Sequence, residues 1–303
     1  MLAAMHGHPY LIPTMKNIFK KLIPARWQKD LNRVAVIRLQ GTIGVGTPLR
    51  PGLSLNALNP AIEKAFSLPG VTAIALVINS PGGSPVQSAL IHERIRQLRD
   101  EKQVPVYVFV EDVAASGGYW LAMAGDEIYA DANSIVGSIG VISASFGFVE
   151  AIGKLGIERR VLTSGENKSI LDPFQPQKKK DVDRLKAIQT DMHESFKDLV
   201  RKRRGGKLDE SNKDLFSGAF WTGNRALELG LIDKLGNMYA VLREKFGEDV
   251  DIKYVSAAKK GFLGRLMPGS EDAALSLSEL KDGWSDDVIS SLEARSIWAR
   301  FGF

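Results

Sequence analysis

The chain has no cysteine among its 303 residues, and that absence removes several chemistries at once. Without thiols there is no disulfide framework, no thiolate nucleophile and no zinc site built on cysteine. Histidine is scarce too. His6 and His8 lie in an aperiodic N-terminal stretch, His92 in the amphipathic pattern Ser88 to Leu98, and His193 in a long charged helical pattern. All four read as surface or helix-packing histidines, which leaves little support for a serine-histidine-acid triad. No run approaches the roughly 20 apolar residues that span a bilayer, and the N-terminus lacks the apolar core of a secretory signal. The chain is therefore expected not to insert by itself, and to be cytoplasmic or peripherally membrane-associated. The net charge of +5 comes with no aromatic interleaving or module signature, so no nucleic-acid partner is indicated. No internal repeat is visible.

What the sequence does contain is 44% hydrophobic residues, ample for a packed core at this length, arranged as apolar runs alternating with helical periodicity. Val34 to Leu39, Val71 to Ile78 and Val104 to Val110 read as strands, the latter two as continuously apolar as strands buried on both faces tend to be. Pro60 to Phe66 and Ser84 to Leu98 read as helices. This alternation gives an α/β fold and by itself suits a doubly wound sheet as well as any other α/β arrangement. Farther on, Asp126 to Ala130 and Ser134 to Ser143 are strand candidates, Arg159 to Leu162 is strand-like, and Gly147 to Leu155 reads as a helix ended by Gly156. A long amphipathic helix is expected from Gln177 to about Arg204, stopping at Gly205-Gly206. Its stripe Val182, Leu185, Ile188, Met192, Phe196 and Leu199 suits core or subunit packing better than a ligand site.

Chemistry concentrates at two loops that follow strands. In Ala114-Ala115-Ser116-Gly117-Gly118-Tyr119-Trp120, a serine falls between a buried strand and a helix, where its hydroxyl is exposed and neighbouring N–H groups are free. Ser116 is thus the candidate nucleophile. In Asn79-Ser80-Pro81-Gly82-Gly83-Ser84, paired glycines let backbone N–H groups approach a ligand without Cβ atoms in the way. Such a loop could supply one oxyanion donor and Gly117 the other. Each loop alone also fits an ordinary glycine turn. A serine needs a base, and with histidine disfavoured the alternative is a desolvated lysine. Lys168, in the polar loop Thr163 to Ser169, is the best placed, although the sequence itself does not separate it from other lysines.

These two loops, followed by Val136-Gly137-Ser138-Ile139-Gly140-Val141 and by Gly165-Glu166-Asn167-Lys168, resemble the signal peptide peptidase A (SppA) family of serine peptidases. The likeness runs from about Val34 to about Val255. It implies a ClpP/crotonase-like spiral of ββα units. It also implies a Ser-Lys dyad of Ser116 as nucleophile and Lys168 as general base, with Ser138 orienting the lysine amine and Gly83 and Gly117 forming the oxyanion hole. The spacing of Ser116 and Lys168 matches the short, single-repeat branch. The resemblance further implies peptide substrates such as released signal peptides, a homo-oligomeric ring, and no metal or other cofactor. Two other functions remain open from the sequence: a crotonase-type acyl-CoA enzyme, and a non-catalytic membrane-associated scaffold on the same fold.

The expected organisation is an appendage over residues 1–30, a catalytic domain over 31–262 and a tail over 263–303. Within the appendage, residues 16–27 place Ile18, Phe19, Leu22 and Ile23 at helical spacing beside lysines. That pattern fits peripheral contact with an anionic membrane or docking on a protein surface.

Overall fold

The structure, a computed structural model, describes residues 32–44, 52–256 and 295–302. The appendage, its amphipathic stretch 16–27 and most of the tail lie outside the described residues.

Among the described residues, eight strands form one sheet: β1 (Arg33–Gln40), β2 (Val71–Ser80), β3 (Val106–Ala115), β4 (Glu127–Ala130), β5 (Ile135–Gly137), β6 (Phe220–Thr222), β7 (Lys234–Leu235) and β8 (Asp251–Tyr254). Their order is β6-β5-β3-β2-β1-β8, with β4 and β7 branching from β3. Every pairing is parallel except β5 with β6. The helices are α1 (Leu55–Phe66), α2 (Pro85–Lys102), α3 (Gly117–Ala122), α4 (Val149–Lys154), α5 (Lys179–Arg204), α6 (Gly223–Glu228) and α7 (Met238–Phe246).

The continuous apolar strands are explained by burial on two faces. Along β1 and β2, Ala35, Ile37, Leu39, Ile74, Leu76 and Ile78 enter the large core under the N-terminal helices. Their alternates Val34, Val36, Ala73, Ala75 and Val77 enter a smaller core with Met238, Val241 and Leu242 of α7. Side chains alternate faces along a strand, so a run covered on both sides must be apolar throughout.

Three elements differ from expectation. β3 runs on to Ala115, because Val113, Ala114 and Ala115 gain a new partner in β5, and a register shift opposite Ile78 and Ser80 absorbs Glu111 and Asp112. The candidate strand Ser134 to Ser143 stops at Gly137, where φ of +113° at Gly137 and +52° at Ser138 bends the chain out of the extended region. Arg159 to Leu162 is not a strand. It is largely exposed, and it pairs with no strand of the sheet.

His92, on α2, is 7% exposed. Burial, followed by the nearby Arg203 guanidinium, pushes its pKa down from 6.5 to about 4. The folded protein therefore resists a proton that the unfolded chain accepts. The resulting stability is complete above about pH 6.5 and is lost as pH falls toward 4, a change of about 3 kcal/mol over that window. Urea midpoints measured from pH 7 to pH 4 should fall accordingly, and His92→Gln should flatten the profile. An equally steep profile in that variant would assign the loss to carboxylates instead.

Candidate active site

Ser116 joins β3 to α3 with φ of +53° and ψ of −122°, a combination that side-chain-bearing residues rarely adopt and that costs of order 1–3 kcal/mol. Its hydroxyl makes no capping bond to the helix. The position is fixed from both sides. The Ser116 N–H donates to the Gly137 carbonyl at 2.8 Å and the Trp120 N–H returns to the Ser116 carbonyl at 3.0 Å. Below it, Tyr119 is fully buried and its hydroxyl donates to the Leu231 carbonyl at 2.7 Å.

The pairing Ala115↔Gly137 explains why Ser138 stands beside Ser116: each is the first residue beyond a matched pair of neighbouring strands. Ser138 is 4% exposed and its N–H donates to the Ala219 carbonyl at 2.7 Å.

The glycine loop arrives at the same place. The Ile43 N–H donates to the Gly82 carbonyl at 2.9 Å, and the Ser84 N–H donates to the Ile43 carbonyl at 2.8 Å, so Gly83 is clamped against β1's extension. A side chain is impossible there, because a Cβ on Gly83 would lie 2.1 Å from the Ile43 oxygen. The two donor sites are close together: a Cβ placed on Gly117 would sit 3.3 Å from the Gly83 nitrogen. Among the described residues neither the Gly83 nor the Gly117 N–H has a hydrogen-bond partner. Two free donors beside a serine hydroxyl are what stabilisation of a tetrahedral oxyanion requires.

Ser116 and Ser138 line one open cavity of about 330 Å³ together with His193, Ser217, Gly218 and Arg300. None of these last four was anticipated at the site. His193 bonds through Nε2 to the Ile139 carbonyl at 3.0 Å, bracing the backbone next to Ser138. Its location was legible as phase, since it lies on the same face of α5 as the buried Phe196 and Val200. Arg300 arrives with residues 295–302, which are held there by Phe301, buried against Val113 and Ala115 and edge-on to Phe220. Nothing in the sequence of the tail pointed to this.

Lys168 is not brought to the cavity within one chain. It lies in a turn, exposed, and is not among the lining residues. The whole arm from residue 142 to 178, between β5 and α5, has no buried residue, and α4 packs nothing into a core. Large apolar side chains are left outside: Phe146 is 80% exposed, Leu155 73% and Leu162 100%. The apolar stripe of α5 continues this surface, with Ile188 and Met192 exposed while only its C-terminal part packs inward.

A strained serine at the end of a buried parallel strand, followed directly by an N–H at Gly117 that lies close to the Gly83 N–H, is an arrangement suited to nucleophilic acyl chemistry on an α/β fold. Residues 98–251, just over half of the chain, match Peptidase family S49, and the chain belongs to that family. Its α/β sheet is accordingly the ClpP/crotonase-like fold that the resemblance implied. The chain is 50% identical over 291 residues to a Brucella melitensis protein named Na(+)/H(+) antiporter NhaA, covering 95% of this chain and 39% of that protein. It is 32% identical over 213 residues to the chloroplastic serine protease SPPA of Arabidopsis thaliana, covering 68% and 31%. It is 31% identical over 207 residues to protease 4 of Haemophilus influenzae, covering 68% and 33%. The chain thus spans between about a third and two fifths of the length of these relatives. Among the described residues no helix is long and apolar enough to cross a membrane, and no cluster of three metal-ligating side chains occurs.

Proposed function

We propose that this chain is a serine endopeptidase that hydrolyses short, largely apolar peptides, such as released signal peptides or membrane-protein remnants, through Ser116 and Lys168. The observation that carries the proposal is Ser116 held at positive φ beside the unpaired Gly83 and Gly117 N–H groups. Membership in a peptidase family supports this reading over acyl-CoA chemistry. In the reaction, neutral Lys168 accepts the Ser116 proton as Oγ attacks the scissile carbonyl. The two glycine N–H groups hold the oxyanion, and the lysine then protonates the departing amine. Water repeats the sequence to release the acyl group. Ser138 accepts or donates a hydrogen bond that keeps the amine aimed at Ser116.

A lysine amine in bulk water is protonated at neutral pH and cannot act as a base. Desolvation of Lys168 therefore has to come from something that covers the arm. The exposed Phe146, Leu155 and Leu162 support a second copy of the chain as that cover, since monomeric surfaces rarely leave such patches bare. In the proposed ring, the arm of one copy carries Lys168 to the Ser116 cavity of its neighbour.

A fluorophosphonate probe tests the nucleophile, because it reacts only with an activated serine. Mass spectrometry should find the adduct on Ser116 alone. An assembled, folded protein that takes up no label would refute the proposal.

A further inference from the structure

The charge of the cavity at Ser116 is one-sided. Val141 and Ile142 give it an apolar wall, and Arg300 supplies a permanent cation. Its other titratable group is His193, whose Nε2 is engaged by the Ile139 carbonyl. Among the described residues no carboxylate lines the cavity. Glu194, beside His193 on α5, is paired with Lys197 instead.

The cation is placed by its neighbours. Residues 295–299 form a helical turn, and the Phe301 N–H closes it by donating to the Trp298 carbonyl at 2.9 Å. Phe301 is 6% exposed and packs with Trp298 against Val113 and Ala115. Those two belong to the end of β3 that delivers Ser116, so the backbone at Arg300 is tied to the strand that presents the nucleophile. The Arg300 side chain is exposed. Its guanidinium lies 5.8 Å from the centre of the Phe301 ring, and among the described residues it has no ion pair and no hydrogen bond. A planar fork of five N–H donors therefore stands at the cavity unpaired.

We propose that Arg300 selects the substrate by holding a carboxylate of the bound peptide, supplied by its free C-terminus. The inference rests on the peptidase reading and names the substrate class of that site. A peptide whose carbonyl reaches Ser116 lies in the cavity that Arg300 lines, with apolar side chains against Val141 and Ile142. Short, largely apolar peptides carry one obligatory anion, the carboxylate at their end. A guanidinium takes a carboxylate through two parallel hydrogen bonds, whereas a charged amino end is repelled. An internal loop of an intact protein offers no such terminal group. Arg300 thus favours a bond a few residues from the C-terminus of a released peptide over segments of folded chains.

The test uses one apolar peptide sequence made as the free acid, as the C-terminal amide, and as amides with either Glu or Gln near that end, each given to the assembled full chain. The free acid should be hydrolysed with a kcat/KM ~10-fold above that of the amide, in line with one charge-assisted contact. The gap should lie in KM and should narrow as salt is added. Arg300→Gln should erase it, and Arg300→Lys, which keeps the charge without the fork, should retain part of it. A Glu peptide preferred over the Gln peptide only when Arg300 is present supports the same contact with a side chain as the source. Equal hydrolysis of all four peptides, or a preference that survives in Arg300→Gln, overturns the inference and leaves the peptidase reading intact. Should none be hydrolysed, protection of Ser116 from a fluorophosphonate makes the same comparison, and the acid should protect at a ~10-fold lower concentration than the amide. Equal protection overturns the inference alone. A chain that takes up no label refutes the peptidase reading and this inference with it.

Discussion

Ser116→Ala should reduce peptide hydrolysis by ~10³-fold or more, with the protein still folded and assembled, because the hydroxyl forms the covalent intermediate while the oxyanion donors stay in place. Ser116→Gly sharpens the test. Glycine tolerates the φ of +53° and ψ of −122° that strain the serine, and relief of that strain outweighs the extra flexibility of the unfolded chain, for a net gain of about 1 kcal/mol. The glycine variant should therefore melt higher than the native protein while being equally inactive. Activity and stability moving in opposite directions would mark a backbone strained for chemistry. Residual hydrolysis near the native level in either folded variant would remove Ser116 from the mechanism.

Lys168→Ala should be as inactive as Ser116→Ala, and mixing the two variants should restore activity. If the serine of one copy meets the lysine of the next, random co-assembly of equal amounts leaves roughly a quarter of the sites with both native groups. Recovery requires that subunits exchange, so the mixture is dissociated in mild denaturant and reassembled before assay. Activity should rise toward that fraction as assembly proceeds. A mixture that stays inactive, from variants that form native-sized particles, would place both groups in the same chain or give the proton to another base. His193, already in the cavity, would then be the first group to examine.

The strands of the central sheet and the helices between them were legible because two-sided burial writes itself as unbroken apolar runs, as in Val71–Ser80. Ser116 and the Gly82-Gly83 loop were legible for a related reason: two clusters of small residues, each closing such a run, together point to close backbone approach, although either alone fits an ordinary turn. The end of β3 was less so. Glu111 and Asp112 interrupt its apolar pattern, yet the strand continues because β5 supplies new partners. The surroundings of Ser116 were harder still. His193 reaches the cavity through the rotational phase of a helix that begins more than sixty residues after the nucleophile. Arg300 arrives from a tail whose composition resembles that of a solvated segment. Lys168 was singled out through family resemblance, and it is exposed within one chain; the proposed cover by a second copy is what a single sequence encodes least directly.

β3 carries hydrogen bonds to β2, β4 and β5 and ends at the reactive serine. The residue on which catalysis is proposed to depend is thus anchored in the most cooperative part of the molecule, where amides exchange with solvent only when everything opens together. Warming should not loosen the backbone around Ser116 gradually, so protection of the Ala114 and Ala115 amides should vanish together with global order.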